Sequence, residues 1–164
     1  MTMSTRMAVM NEGRIRQIGT PTEIYEFPAN SFVAGFIGAV NQFQGRVVEQ
    51  EGELLLVHAD SAGSDLRVKS QQAVAAGTPL TVAVRPEKVR ISLKEPASGD
   101  NRLQGRVEEI AYLGDVSIYH LRVGGGALME AQLTNHTRHA PASISWGDQA
   151  WISWDAEDAL ALLE

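Results

Sequence analysis

Part of this chain is written twice. Gln44-Gly45-Arg46-Val47-Val48-Glu49 recurs sixty positions later as Gln104-Gly105-Arg106-Val107-Glu108-Glu109. Each copy follows an Asn and one apolar residue, Asn41 with Phe43 and Asn101 with Leu103. A second echo closes each unit. Gly77-Thr78-Pro79-Leu80-Thr81-Val82-Ala83-Val84-Arg85-Pro86-Glu87 runs parallel to Gly147-Asp148-Gln149-Ala150-Trp151-Ile152-Ser153-Trp154-Asp155-Ala156-Glu157. Both echoes place Gly before a short alternating run and Glu after it. Two echoes in the same order favour two related β-units of roughly 50–60 residues over chance likeness between Val- and Gly-rich strands.

Ahead of the repeats, residues 6–10 and 14–18 are short strand-like runs around Asn11-Glu12-Gly13, a three-residue turn that predicts a hairpin. Thr20-Pro21-Thr22-Glu23 then reads as a helix start: Thr20 caps the free amides, Pro21 suits the first position, and Glu23 reaches back to complete a capping box. Pro28 ends that helix soon after Tyr25 and Phe27. A second helix starts at Asn30 or Ser31, with Phe32, Val33, Phe36 and Ile37 read as one apolar face for core or partner packing, and Gly38 as its stop.

From Gln42 the period becomes two. Strands are expected at 43–50, 53–58, 65–69, 80–85 and 88–93, then at 103–111, 115–123, 127–133 and 149–155. Glu51-Gly52 and Gly124-Gly125-Gly126 close hairpins, residues 95–100 form a linker or long turn, and 134–146 form a loop. Ala156 to Leu163 reads as a closing helical turn or a last strand. Many short strands with Gly turns point to small barrels or sandwiches.

Composition narrows the function. The 164 residues hold one ordinary domain or two small ones. No apolar run approaches the ~20 residues of a membrane span, and no secretory signal pattern is present. The lack of cysteine removes disulfides, thiolate nucleophiles and Cys-ligated zinc, and is compatible with a cytoplasmic chain. A net charge of -6 argues against a phosphate-backbone partner.

No catalytic constellation emerges. A phosphate loop needs glycines opening a helix and a following lysine; Gly124–Gly126 lies between strands, and the sequence has no Gly-Lys pair. Of His58, His120, His136 and His139, only His136-x-x-His139 has ligand-like spacing, and no carboxylate or Cys stands nearby to complete a metal site. Glu108/Glu109 and Glu157/Asp158 are adjacent carboxylates. Neighbours on a strand point to opposite faces, so Glu108/Glu109 reads as a solvated pair, unable to act jointly. Trp154 shares a face with Ala150 and Ile152 and reads as core; Trp151 fits an interface or the surface.

The first forty residues carry a resemblance. Met3-Ser4, Arg6 through Ile15, Gln17-Ile18-Gly19-Thr20-Pro21, Glu23-Ile24-Tyr25, Pro28-Ala29-Asn30, Phe32-Val33-Ala34 and Phe36-Ile37-Gly38 resemble the end of the ATP-binding subunit of ABC-type importers for polyamines, iron(III) and sugars. The remainder resembles the TOBE-type, tandem OB-like regulatory domain of those subunits. Its carriers are Val84-Arg85-Pro86-Glu87, Tyr112-Leu113-Gly114-Asp115, Asn135 and the closing Gly147 to Trp154. The Tyr-Leu-Gly motif and terminal Trp lean toward the spermidine/putrescine branch over the maltose branch.

The resemblance implies a mainly β chain. Residues 1–40 would be a hairpin-and-two-helix remnant of an ATPase domain, and residues 41–164 a complete regulatory domain with repeat units about 41–95 and 101–164. Walker A, the Leu-Ser-Gly-Gly-Gln signature, Walker B and a switch histidine are missing from the sequence. The family's ATP and magnesium chemistry is therefore carried by no residue here, and neither catalysis nor a cofactor is expected. Thr5 stands where the family commonly has Asp.

The implied function is a regulatory and dimerisation module, cytoplasmic and peripheral on the inner face of the cell membrane. Its partners would be a second copy and membrane-embedded permease subunits. Arg85, Pro86, Glu87, Tyr112, Leu113, Gly114, Asp115 and Trp154 are its candidate structural or interface residues. Phe32, Phe36 and Ile37 would lack their normal cover. The alternative is a sensor of a polyamine or other solute, with Glu108, Glu109, Asp115 and Glu130 as candidates by charge. A nucleic-acid-binding OB fold would need a basic groove with exposed aromatics, against the acidic balance and 6% aromatic content.

Overall fold

The computed structural model describes residues 3–135 and 144–163. The hairpin is β1 (Met7–Asn11) and β2 (Arg14–Gly19), turned by Glu12 and Gly13 at φ of 51° and 74°. Helix α1 (Pro21–Glu26) follows with the expected capping box. The Glu23 amide donates to the Thr20 hydroxyl at 3.2 Å, and the Thr20 amide donates to the Glu23 carboxylate at 2.8 Å. Helix α2 (Ser31–Ile37) is capped by Asn30, whose Oδ1 accepts from the Val33 amide at 2.9 Å. Val9, Ile24 and Val33 form the small core of this unit, with Met7 and Ile37 against it.

One expectation for α2 needs correction. Val33 and Ala34 are buried, but Phe32 and Phe36 are exposed and stack on each other at 5.7 Å between ring centroids. With seven residues, the helix turns too little stripe inward to bury four large side chains, so the two rings pair on the outer face.

The β-region is built from β3 (Asn41–Glu51), β4 (Leu54–Ala59), β5 (Ser64–Lys69), β6 (Pro79–Val84), β7 (Arg90–Ser92), β8 (Asn101–Tyr112), β9 (Val116–Val123), β10 (Leu128–Thr134), β11 (Gln149–Trp154) and β12 (Ala159–Leu162). The tail resolves the open choice between helical turn and strand by containing both: a 3-10 turn at Ala156–Asp158, then β12. The matching 3-10 turn at Pro86–Lys88 lies between β6 and β7.

Two five-stranded antiparallel sheets result, ordered β12-β6-β3-β4-β5 and β10-β9-β8-β11-β7. Each curls until its edge strands approach, β5 near β12 and β10 near β7, as partly open barrels do. The sheets do not divide the sequence cleanly. After its 3-10 turn each repeat sends its last strand to the other sheet: β7 pairs with β11, and β12 with β6. The repeats are therefore interlocked by reciprocal strand exchange, and one hydrophobic core runs through both. In it Trp154 from the second repeat lies parallel to Phe43 from the first, with ring centroids 6.4 Å apart.

Equivalent residues make equivalent bonds. The Gly77 amide donates to the Val47 carbonyl at 2.7 Å and the Gly147 amide to Val107 at 2.8 Å, while Val47 and Val107 donate to Thr78 and Asp148 at 3.0 and 2.9 Å. Both long strands carry a bulge at the same place, between Val47 and Glu49 and between Val107 and Glu109.

Candidate functional site

Arg85 stands where β6 ends and the chain turns toward the other sheet, and it is 5% exposed. Its guanidinium faces the helical unit. Nη1 donates to the carbonyls of Ala34, Gly38 and Ala39 at 2.9, 3.1 and 3.2 Å, and Nη2 donates to the Tyr25 carbonyl at 3.3 Å. These bonds hold carbonyls at the end of α2, which has no basic residue in its last turn, and one near the end of α1. The guanidinium carbon also sits 4.3 Å from the centre of the Tyr25 ring. Pro86 fixes the following turn and is buried there. Glu87 then accepts a hydrogen bond from the Tyr25 hydroxyl, and burial first, with that bond second, pushes the Tyr25 pKa up to about 12. Arg85-Pro86-Glu87 is thus a clamp between the helical unit and the first sheet. A second contact joins them: Ala34 packs with Ala83 and Leu162, flanked by Val40 and Leu160.

The other sequence candidates lie elsewhere. Tyr112, Leu113, Gly114 and Asp115 form the β8–β9 turn, with Tyr112 and Leu113 exposed and Gly114 at φ 88°. Asn135 braces that turn: its Nδ2 donates to the Gly114 carbonyl at 3.0 Å, its amide donates to the Asp115 carbonyl at 2.7 Å, and its Oδ1 accepts from the Ser117 hydroxyl at 2.9 Å. Trp154 lies in the core, fully buried.

Glu108 and Glu109 behave differently from the expectation. The bulge between Val107 and Glu109 breaks strict alternation, so both line one pocket of about 690 Å³ together with Ile110, Tyr112, Ile144, Ser145 and Trp146. Its sequence signature is visible afterwards: an extra polar residue interrupts an otherwise alternating strand. Glu108 is held by Arg122 through bonds of 3.1 and 3.0 Å, which keep its pKa below the ordinary carboxylate range. Glu130, in contrast, pairs with His120 at 3.2 Å across β9 and β10.

A second pocket is lined by His58 and Asp60, two members of an Asp–His–Asp group that sequence reasoning passed over. His58 Nδ1 lies 2.6 Å from Asp65 and Nε2 lies 3.0 Å from Asp60, bonds that raise its pKa. Both ring nitrogens are taken by carboxylates, so the ring has no free nitrogen to activate a nucleophile. Among the described residues no group of His, Asp and Glu has metal-binding geometry; His136 and His139 lie outside them. The glycine triplet does not fit a phosphate: a Cβ at Gly125 would collide with the Asp60 carbonyl and Gly63, so this turn is packed against the β4–β5 turn of the other repeat. No helix among the described residues is long and apolar enough to cross a membrane.

Comparison with known proteins gives consistent results. Residues 82–162 match the family model described as TOBE domain. The putrescine transport ATP-binding protein PotG of Escherichia coli is 40% identical over 162 residues, covering 99% of this chain and 43% of that protein. The spermidine/putrescine import ATP-binding protein PotA of Acidothermus cellulolyticus is 39% identical over 165 residues, covering 99% of this chain and 42% of that protein. The chain thus spans about two fifths of the length of these curated relatives, and it matches their C-terminal part. Among solved structures, the cytoplasmic molybdate-binding protein ModG, in a form with molybdate bound, superposes with a TM-score of 0.65 at 19% identity, covering 76% of this chain and 96% of that one. That likeness establishes the tandem OB-like fold.

Proposed function

We propose, for a chain whose residues 82–162 are a TOBE domain and which belongs over nearly its whole length with the C-terminal part of polyamine-import ATP-binding proteins, that it is the regulatory part of such a subunit. In this reading it catalyses nothing itself. ATP and magnesium are handled by the remainder of the subunit, the subunit lies at the cytoplasmic face of the membrane against membrane-embedded permease subunits, and a second copy pairs with the β-region. The transported cations are those in the relatives' names, putrescine or spermidine.

The observation that carries this reading is the Arg85 clamp. A regulatory β-domain must transmit its position to the part it regulates, and a loose tether would transmit nothing. A buried guanidinium bonded to four carbonyls of the helical unit makes that junction stiff. Lysine could not replace it, because one ammonium cannot span carbonyls from both helices while stacking on Tyr25.

The test is a chimera: the matching C-terminal part of E. coli PotG is replaced by this chain, and putrescine import is measured in cells lacking PotG. Import restored by the chimera and lowered by Arg85→Ala supports the reading. No import, or import indifferent to Arg85→Ala with protein level unchanged, overturns it. Light scattering on the chain tests the second copy, with a concentration-independent dimer expected.

A further inference from the structure

The hairpin turns of the two repeats meet back to back. Residues 60–63, between β4 and β5, lie against the Gly124–Gly126 turn between β9 and β10. The Ala127 amide donates to the Ser61 carbonyl at 3.0 Å, and a Cβ at Gly63 would lie 2.8 Å from the Gly125 nitrogen. Ala62, in the first of these turns, is buried in the common core. The strands leading into the two turns carry different cations at one place. Arg46 pairs with His58 and Arg106 with Arg122, so His58 and Arg122 are equivalent. Arg122 reaches its own turn, donating from Nη1 to the Gly126 carbonyl at 3.0 Å, and is held by Glu108. His58 reaches its own turn through Asp60 and is held by Asp65 on β5.

The two pins differ in one property. A guanidinium stays charged at any pH the fold survives, whereas an imidazole does not. Carboxylate oxygens lie 2.6 Å from Nδ1 and 3.0 Å from Nε2 of His58. Both oxygens accept, so both ring nitrogens must donate, and only the imidazolium carries two N–H groups. The neutral ring has one, and its bare nitrogen would face a carboxylate lone pair. One contact must then break, and the Asp60 contact is the longer and the more exposed. The other charges around the ring are engaged elsewhere or stand further along the strands. Arg46, opposite on β3, donates to the Gly77 carbonyl at 3.1 Å, and Arg67 on β5 donates to the Asp100 carbonyl at 3.2 Å. Glu49 stands opposite Leu56, further along β3, and the facing glycine turn carries no ionisable side chain.

We propose that the joint between the repeats is a proton-controlled latch: the His58 imidazolium holds the β4–β5 turn against the glycine turn of the other repeat, and loss of its proton frees Asp60 and loosens the contact. Asp65 first and Asp60 second raise the ring's pKa above the ordinary 6.5. The folded chain thus holds this proton more tightly than the unfolded chain. The pinning is complete below about pH 6.5 and is lost as pH rises through the raised value. Arg122 keeps the other turn pinned throughout, so the joint loosens from one side only. Neither Arg85 nor Tyr25 takes part, so the latch and the Arg85 junction can fail separately.

The test follows two NMR signals of the full 164-residue chain, the His58 ring and the Ala127 amide that is bonded across the joint. Exchange of this amide is corrected for the intrinsic pH dependence of exchange. Between about pH 6 and about pH 9 it should then accelerate about two- to fivefold, with the midpoint of the His58 titration. His58→Arg should hold the corrected rate constant over the same range, as a fixed charge would. Asp65→Asn should move the ring and amide midpoints down together. Both substituted side chains lie on the exposed face of the sheet, and unchanged circular dichroism checks the fold. An Ala127 amide whose corrected exchange ignores the His58 titration overturns the proposal, as does an acceleration that persists in His58→Arg.

Discussion

Asn41 and Asn101 occupy equivalent positions of the two repeats, and each grips the backbone of the other repeat with both ends of its amide. Asn41 Nδ2 donates to the Glu130 carbonyl and Oδ1 accepts from the Glu130 amide, both at 2.8 Å. Asn101 does the same to Arg67, at 2.8 Å to the carbonyl and 2.7 Å from the amide. Each side chain replaces the missing ladder partner of an edge strand, β10 in one case and β5 in the other.

Replacing either Asn with Ala strands a peptide amide and a carbonyl near the buried core. Asn41→Ala and Asn101→Ala should each cost about 2 kcal/mol, more than a solvent-facing hydrogen bond, because each leaves two part-buried backbone groups without their partner. Asp at either site keeps the acceptor but loses the donor and buries a charge, so it should do no better than Ala. Urea unfolding with an unchanged m-value would measure this; a loss below about 0.5 kcal/mol would show that water replaces the amide.

Gly45 and Gly105 are equivalent in sequence but not in room. A Cβ at Gly45 would lie 2.5 Å from the His58 carbonyl oxygen and 2.7 Å from Val57, whereas one at Gly105 would lie 3.0 Å from the Arg122 carbonyl oxygen. Gly45→Ala must push β4 away from β3 and should cost about 2–3 kcal/mol. Gly105→Ala asks for a few tenths of an ångström and should cost clearly less. Equal melting temperatures for the two variants would contradict this ordering.

Much of this architecture could be read from the residues. The strands followed from alternation, the hairpin from Asn11-Glu12-Gly13, the first helix from its capping box and the duplication from Gln-Gly-Arg-Val. What could not be read was non-local. Periodicity says that β7 is a strand and leaves β12 open between strand and helical turn, but it does not say which sheet either joins, because an edge strand pairs with whatever edge the crossover turn presents. The clamp was visible only as the motif Arg85-Pro86-Glu87: that the side chain reaches Tyr25 and Ala34, more than fifty residues earlier, depends on how the helices dock. The shared pocket of Glu108 and Glu109 was missed for a local reason, the bulge.

Tyr25 gives the junction a pH signature. Its hydroxyl ionises only near 12 in the folded chain, whereas an unfolded tyrosine ionises near 10. Between those values the folded chain keeps a proton that the unfolded chain has released, so this contribution is fully present below about pH 10 and is lost as pH rises to about 12. Tyr25→Phe should remove that part of the slope, and at neutral pH should cost about 1 kcal/mol for the lost bond to Glu87. The check is tyrosinate absorbance against pH, paired with urea midpoints of both proteins. A wild-type titration in which all tyrosines ionise together near 10 would show that Tyr25 is not held as described.

The strand exchange predicts how the β-region behaves when cut between its repeats. A fragment of residues 41–95 carries β3 to β6 without β12, leaving the β6 edge open, and its β7 has lost β11. A fragment of residues 101–164 has the mirror-image defect. Each also loses half of the common core, including one ring of the Phe43–Trp154 stack. Neither should form a stable monomer, since an open edge beside exposed core residues invites pairing with another chain. Mixed in equal amounts, they should assemble one to one, regain the near-ultraviolet signal of buried Trp154 and unfold cooperatively. Two fragments that fold separately as monomers and ignore each other would mean that the exchanged strands are dispensable, and that the repeats are neighbours sharing a chain and not halves of one structure.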